Sequence, residues 1–331
     1  MKDFTGKNVL VAGGTGLIGI PLVELLLAEG ANVRIASMDD PSRAHAEAEF
    51  LKVDLMDFGN CLKSCDDIDF VFNLLCVKGS PAITTTKPAS FLVPHLRFNT
   101  SLMEAARLRR VRGYLFTSSL AVYSPAPIFR EDDVWETFPS DNDKFAGWAK
   151  RIGELQAEAY AIEYGWEDIS VARPSNVYGP FDNFDLENAM VIPSLLKRAI
   201  DGEAPLKVWG DGSQRRDFLH SSDAAAGLLA LARSDERRPV NIGTGEGVSI
   251  TDLVDVILTN MTSPPRVEWD TTKPSGDKER VLDTERAAAM GFKPTMSLQD
   301  GIRSTMEWYR ENRRNQGKRY DVFADSTEVE E

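Results

Sequence analysis

Residues 13–19 read Gly-Gly-Thr-Gly-Leu-Ile-Gly, directly after a β-rich apolar run at 8–12 and directly before an apolar helical stretch at 21–28. Glycines so spaced let a backbone turn tightly and approach a pyrophosphate, which then rests on the free N–H groups of a helix N-terminus. The run divides either as G-x-G-x-x-G from Gly14 or as G-x-x-G-x-x-G from Gly13. By itself the hexapeptide is weak, but a strand before it and a helix after it make it a dinucleotide cradle. Which dinucleotide is left open. Asp39, about 20 positions on, suits a free ribose 2′-hydroxyl, whereas Ser37 with Arg43 suits a 2′-phosphate, so the cofactor is NAD or NADP. Asp54 and Leu55, after a short strand at 51–53, are placed to meet the adenine edge, although an exposed turn explains Asp54 equally well.

The elements that must carry this cradle alternate in type. Strands are expected at 8–12, 32–36, 51–53, 70–75, 113–118 and 169–172, with long amphipathic stretches between them. This order implies βαβ units and an α/β fold, a doubly wound parallel (Rossmann) sheet covered on both faces. From about Pro174 the texture changes to loops rich in Pro, Gly and Asn, with a helix at 192–201, a strand at 206–209 and a helix at 222–233. A further strand at 239–242 returns to the main body. The expected organisation is a dinucleotide-binding unit at 1–173, a smaller, interleaved α/β substrate lobe at 174–315, and a polar, acidic, frayed tail at 316–331.

Composition narrows the partners. Of 331 residues, 42% are apolar and 24 are glycine, as in a folded globular protein. A net charge of −13 repels phosphate backbones and anionic lipid, so neither nucleic acid nor membrane is expected. Three cysteines, Cys61, Cys65 and Cys76, cannot form an even disulfide framework and read as reduced, small apolar residues. No apolar run approaches a membrane span, and a strand begins within eight residues of the start, which leaves no room for a signal peptide. A cytoplasmic location is the expectation. His95 and His220 lack acidic or Cys partners at ligand spacing, so no metal is expected.

Taken with the glycine run, Thr117-Ser118-Ser119 and Lys150 resemble the extended short-chain dehydrogenase/reductase family, the NAD-dependent epimerases and dehydratases that act on nucleotide sugars. Within it the chain is most similar to the GDP-L-fucose synthase group. The similarity runs through Pro174-Ser175-Asn176-Val177-Tyr178-Gly179-Pro180, Val191-Ile192-Pro193, Val208-Trp209-Gly210, Arg216-Asp217-Phe218-Leu219-His220 and Asn241-Ile242-Gly243-Thr244-Gly245, and covers about residues 7–312. The resemblance implies a Ser, a Tyr and a Lys acting together. Tyr is the acid/base at a sugar hydroxyl. Lys, four residues later on the same helical face, holds the nicotinamide ribose and lowers the phenol's pKa. Ser hydrogen-bonds the reacting oxygen. Lys150 takes the Lys place and Ser119 the Ser place, with Ser118 second. The Tyr place holds Ala146.

Alanine can neither give nor take a proton, and losing such a group costs about 10²- to 10⁴-fold in rate. The flanking residues 147–154 are otherwise similar to working members, so Ala146 reads as an engineered replacement of the Tyr. The other reading is a branch that uses a different residue. The group's proton-moving Cys and His, which serve C3 and C5, are replaced by Leu120-Ala121 and Met190, and this argues against a C3/C5 epimerase. An Asp-Glu pair, the mark of the dehydratases, is also missing after the serines. What remains is hydride transfer at C4 by a nucleotide-sugar epimerase/reductase, with a GDP-L-fucose-synthase-like 4-keto-sugar reductase or a non-catalytic dinucleotide-binding protein as alternatives.

The expected cofactor set is Gly13, Gly16, Leu17, Ile18 and Gly19, then Ser37, Asp39, Asp54, Leu55, Leu74 at the end of the fourth strand, and Lys150. For the nucleotide-diphosphate sugar, Arg216 and Arg280 match positions that clamp a diphosphate, a task suited to the bidentate guanidinium fork. Asn176 and Asn188 can hydrogen-bond the sugar or phosphate, or merely form Asx turns. Trp209 can pack on the base or belong to the core, and Lys78 can touch both ligands or sit in a solvated loop. Two long Ala-rich stretches, 96–108 and 148–164, imply by the same resemblance a homodimer built through a four-helix bundle.

Overall fold

The structure, a computed structural model, describes residues 3–77, 79, 84, 86–273, 276–314 and 319–321. Seven parallel strands form the main sheet: β1 (Asn8–Ala12), β2 (Asn32–Ser37), β3 (Glu49–Lys52), β4 (Phe70–Asn73), β5 (Gly113–Thr117), β6 (Ile169–Pro174) and β11 (Val240–Ile242). Their spatial order is β3-β2-β1-β4-β5-β6-β11, so the chain reverses direction beside β1. That reversal opens the crevice in which ligands of such sheets bind. The central strands are buried on both faces and read as apolar runs, as parallel sheets require.

One face is covered by α1 (Gly19–Ala28) and by α6 (Ser221–Arg233), which pack on each other over Val9, Val11, Phe72 and Leu115. The other face carries α2 (Phe58–Ser64), α3 (Pro88–Leu108) and α4 (Lys144–Tyr164) over Leu10, Val71, Tyr114 and Phe116. Both long helices start earlier than expected, α3 at Pro88 and α4 at Lys144. α3 opens on Pro88 and carries Pro94, and α4 opens on Lys144-Phe145-Ala146-Gly147, so proline in one and glycine in the other weaken the helical signal at their starts.

After β6 the chain builds a second apolar cluster from β7 (Asn176–Tyr178), α5 (Val191–Ile200), β8 (Leu206–Trp209), β10 (Phe218–His220), α7 (Ile250–Thr259) and α9 (Leu298–Asn312), centred on Leu196, Leu206, Leu253, Ile257 and Ile302. There β8 pairs in parallel with β13 (Val267–Asp270). The short strand β9 (Arg215–Arg216) lies between antiparallel β12 (Val248–Ser249) and parallel β14 (Glu279–Arg280). The strand expected at 239–242 does return, as β11 beside β6, with the short helix α8 (Glu285–Ala289) packed on it. Cys61 and Cys65 are buried in the main core, but Cys76 is exposed, which corrects its reading as a packed apolar residue. Among the described residues, no helix is long and apolar enough to cross a membrane.

Candidate active site

At the end of β1 the chain turns on Gly13, whose φ of +82° is open to glycine at little cost. Gly16 N–H closes the turn onto Gly13 O at 3.0 Å. The turn then lies directly on the first turn of α1. A β-carbon on Gly19 would stand 2.3 Å from Gly13 O, so only glycine allows this approach. Among the described residues no side chain caps α1, whose N-cap is the apolar Ile18, and its dipole faces the crevice available to an anion.

Thr15 ties this turn to the end of β2. Its hydroxyl donates to Asp39 Oδ2 at 2.7 Å and therefore accepts from Ser37, 2.8 Å away; the Ser37 oxygen in turn accepts Asp39 N–H at 3.1 Å. Ser37 is thus consumed by the loop, whereas the Asp39 carboxylate lines the crevice. Arg43 is tucked behind, 3.8 Å from Asp39. Asp54 makes its own turn by accepting Met56 N–H at 2.8 Å, and with Leu55 it lines the same wall.

The crevice is a cavity of about 610 Å³ that runs from this turn to the ends of β4 and β5. All the expected cofactor residues line it, including Leu17, Ile18 and Leu74. Lys150 enters from α4, only 3% exposed, and its ammonium donates to Thr117 O at 2.7 Å and Leu75 O at 3.2 Å. Two of its three donors are so used and one remains. Burial holds its pKa below that of an ordinary lysine, against the opposing pull of Cys76 and Glu154.

The two serines separate clearly. Ser118 donates to Glu154 Oε1 at 2.5 Å, and Glu154 is gripped in bidentate fashion by Arg173 at 2.9 and 2.6 Å, all of it buried. Ser118 is therefore a structural residue. Ser119 accepts Ala121 N–H at 3.2 Å and keeps its own proton to donate into the cavity. Ala146, one turn before Lys150, presents a methyl group to the same space, as do the apolar Leu120, Ala121 and Met190. Asp143 also lines it, one turn earlier still. Burial pushes its pKa up, Arg280 opposes, and the Arg280 guanidinium sits 2.6 Å from its carboxylate.

Arg280 lies opposite Arg216 across the β9–β14 pair, so two guanidiniums stand side by side. Arg280 lines the cavity, held by Asp143 and Asp277. Arg216 stands behind it, its pKa drawn down to about 10 by burial and the Arg280 charge. Asn176 lines the cavity and donates to Asp217 O at 2.9 Å. The oxygens Asn188 Oδ1, Thr117 Oγ1 and Ser175 Oγ are buried without a partner among the described residues, and all three residues line the cavity. Buried polar atoms are almost always paired, so these three are placed to meet a water or a ligand in the cavity.

Trp209 is not brought in: it is 56% exposed, outside the cavity, with Lys273 5.7 Å from its ring. The alternating burial of β8 turns it outward. Lys78 lies outside the described residues. The expectation of a frayed tail is corrected for Arg319, Tyr320 and Asp321, which line the cavity. Their polar, acidic surroundings in the sequence carry no packing signal. Asp143, the N-cap residue of α4, was also missed.

The cradle, the ribose-facing carboxylate, the buried lysine and the cavity's size fit a nicotinamide dinucleotide with room beside it. Fold and site together define a Rossmann-type dinucleotide-binding protein. Residues 9–243 match the model of the NAD dependent epimerase/dehydratase family, and the chain belongs to that family. It is 32% identical to GDP-L-fucose synthase 1 of Arabidopsis thaliana over 94% of this chain and 95% of the relative. A dTDP-4-dehydro-6-deoxy-D-allose reductase of a Streptomyces species is 30% identical over 94% of this chain and 98% of its own. Among solved structures, the UDP-glucose 4-epimerase of Thermus thermophilus in complex with NAD superposes with a TM-score of 0.80 at 26% identity, covering 92% of this chain and 99% of that one.

Proposed function

We propose that the chain is an NAD-dependent nucleotide-sugar epimerase/reductase that works by hydride transfer at C4 of a nucleotide-diphosphate hexose, here without its acid/base side chain. The observation that carries this is that Ser119, Ala146 and Lys150 line one cavity together with the glycine cradle and Arg280. When bound, the nicotinamide supplies the hydride acceptor or donor. Lys150 uses its remaining N–H on the ribose and would depress the pKa of a phenol at position 146 through its charge. Ser119 donates to the reacting sugar oxygen. Arg280, backed by Arg216, grips the diphosphate, and Asn176 and Asn188 orient the sugar. The consumed Ser37 and the Asp39 carboxylate at the end of β2, which lines the cavity, favour NAD over NADP.

In this reading residues 1–173 bind the dinucleotide and 174–315 bind the sugar nucleotide. The similarity to a 4-keto-sugar reductase supports one-way reduction as the second reading. We also propose a homodimer formed by α3 and α4. The two helices pack on each other, and yet Val93, Ile152, Leu155 and Ile162 leave an apolar row exposed on them, the last 79% so. The paired helices of a second copy would cover that row as a four-helix bundle. The free thiols and the net charge of −13 favour a cytoplasmic protein that binds neither nucleic acid nor membrane.

The test is the absorbance of the reduced-nicotinamide band after GDP-, UDP-, CDP- and dTDP-sugars are added to the Ala146→Tyr protein loaded with NAD or NADH. A sugar-dependent change is expected. Because an epimerase returns its hydride and leaves no net absorbance change, the C4 configuration of the recovered sugar is read as well; silence in both readouts would mean a protein that binds the dinucleotide without using it.

A further inference from the structure

The ribose end of the cavity is not open wall. Tyr320 N–H donates to Asp39 Oδ1 at 2.8 Å, while the other Asp39 oxygen carries Thr15. On the far side, the Arg319 guanidinium donates to Phe181 O, in the loop just after β7. Arg319, Tyr320 and Asp321 all line the cavity, so this short stretch crosses from the dinucleotide sheet to the substrate lobe over the cradle. Burial lowers the Arg319 pKa, and the charges of Asp182 and Asp39 oppose that shift. Two adjacent residues thus tie the segment to both sides of the cavity, Tyr320 by a backbone donor on one carboxylate and Arg319 by a guanidinium on a carbonyl.

We propose that Arg319–Asp321 is a built-in competitor of the dinucleotide, seated where the adenosine ribose must go. The inference rests on the reading that this cavity takes a nicotinamide dinucleotide. A ribose diol grips the acidic residue at the end of the second strand, which here is Asp39. With Thr15 on Oδ2 and Tyr320 on Oδ1, the ribose and the Tyr320 backbone contend for the same face of one carboxylate. Cofactor entry must then break the Tyr320 contact, and the Arg319 contact keeps the segment close enough to return. Because the competitor is tethered, it weakens cofactor binding by a constant factor that does not depend on protein concentration.

The experiment compares NADH and NAD affinities, by fluorescence and calorimetry, for the full chain, for a chain ending at Arg314, and for Tyr320→Pro. Tyr320→Pro removes the N–H at issue without shortening the chain and so guards against a truncation that disturbs folding, while Tyr320→Ala, which keeps that N–H, controls for the lost phenol. One hydrogen bond to a carboxylate sets the scale: shortening should lower the dissociation constant roughly three- to tenfold, and Tyr320→Pro should recover part of this. Saturating NAD should also speed trypsin cleavage at Arg319 in the full chain. Equal or weaker binding by both variants, or protection of Arg319 by NAD, overturns the proposal and makes the segment a clamp or a bystander. If no form of the protein binds any dinucleotide, the cofactor reading fails and takes the competitor with it.

Discussion

The two ends of the cavity are built on opposite terms. At the glycine end, Thr15, Ser37, Asp39 and Tyr320 satisfy one another, and the backbone is locked by the contact of Gly19 on Gly13. At the reaction end, Lys150 and Ser119 are anchored, but Thr117, Ser175 and Asn188 hold buried oxygens with no partner among the described residues, and Ala146 offers only a methyl group. The first end is organised before any ligand arrives. The second is completed by what binds there. Affinity for the dinucleotide and turnover of the sugar should therefore be separable by mutation.

Ala146→Tyr tests that separation most strongly. It should raise kcat by about 10²- to 10⁴-fold and leave the NAD dissociation constant unchanged, as read by steady-state rates and titration. No gain in rate would mean that another group moves the proton. From the other side, Gly19→Ala should weaken NADH binding by roughly 10- to 100-fold in a titration, because its β-carbon meets backbone that cannot yield without cost. Arg280→Lys keeps the charge but loses the fork. In the Tyr-restored protein it should raise KM for the sugar nucleotide about tenfold and leave NAD affinity alone; an equal loss for both ligands would erase the distinction between the ends.

The smallest effect concerns His95, beneath Lys150. It is buried and accepts Val77 N–H at 3.2 Å; burial, then the Lys150 charge, lowers its pKa from 6.5 to about 3. The unfolded chain takes up this proton near pH 6.5 and the folded chain does not until about pH 3. Unfolding is therefore favoured progressively as pH falls through that window, and the His95 contribution to stability is complete only above it. His95→Gln should flatten the acid decline of Tm measured by calorimetry. An unchanged slope would show that His95 is already protonated in the fold.

Much of this was legible in the sequence. The strands of the main sheet are apolar runs bounded by turn residues, and the glycine spacing states its own geometry, so both could be read within a residue or two. Helix starts were read late, since Pro88 and Pro94 in α3 and Gly147 in α4 weaken the helical signal there. Ser119 was preferred from the sequence, but the reason Ser118 is engaged elsewhere, its bond to Glu154 36 residues away, was not legible there. Trp209 kept its motif but not its orientation, because the alternation of β8 is set by the lobe it packs on. The contact between Tyr320 and Asp39 joins residues 281 apart, beyond the reach of any local pattern.

The grip of Arg173 on Glu154 also bears on how activity can be gained or lost. Glu154 lies one turn beyond Lys150, and its bidentate hold fixes the rotation of α4 about its own axis. Neighbouring positions on a helix point about 100° apart, so Phe145 and Gly147 cannot swing round to take over. On the proposed reading, a proton carrier regained on this helix has to stand at position 146, so descendants of this chain would recover it through that position.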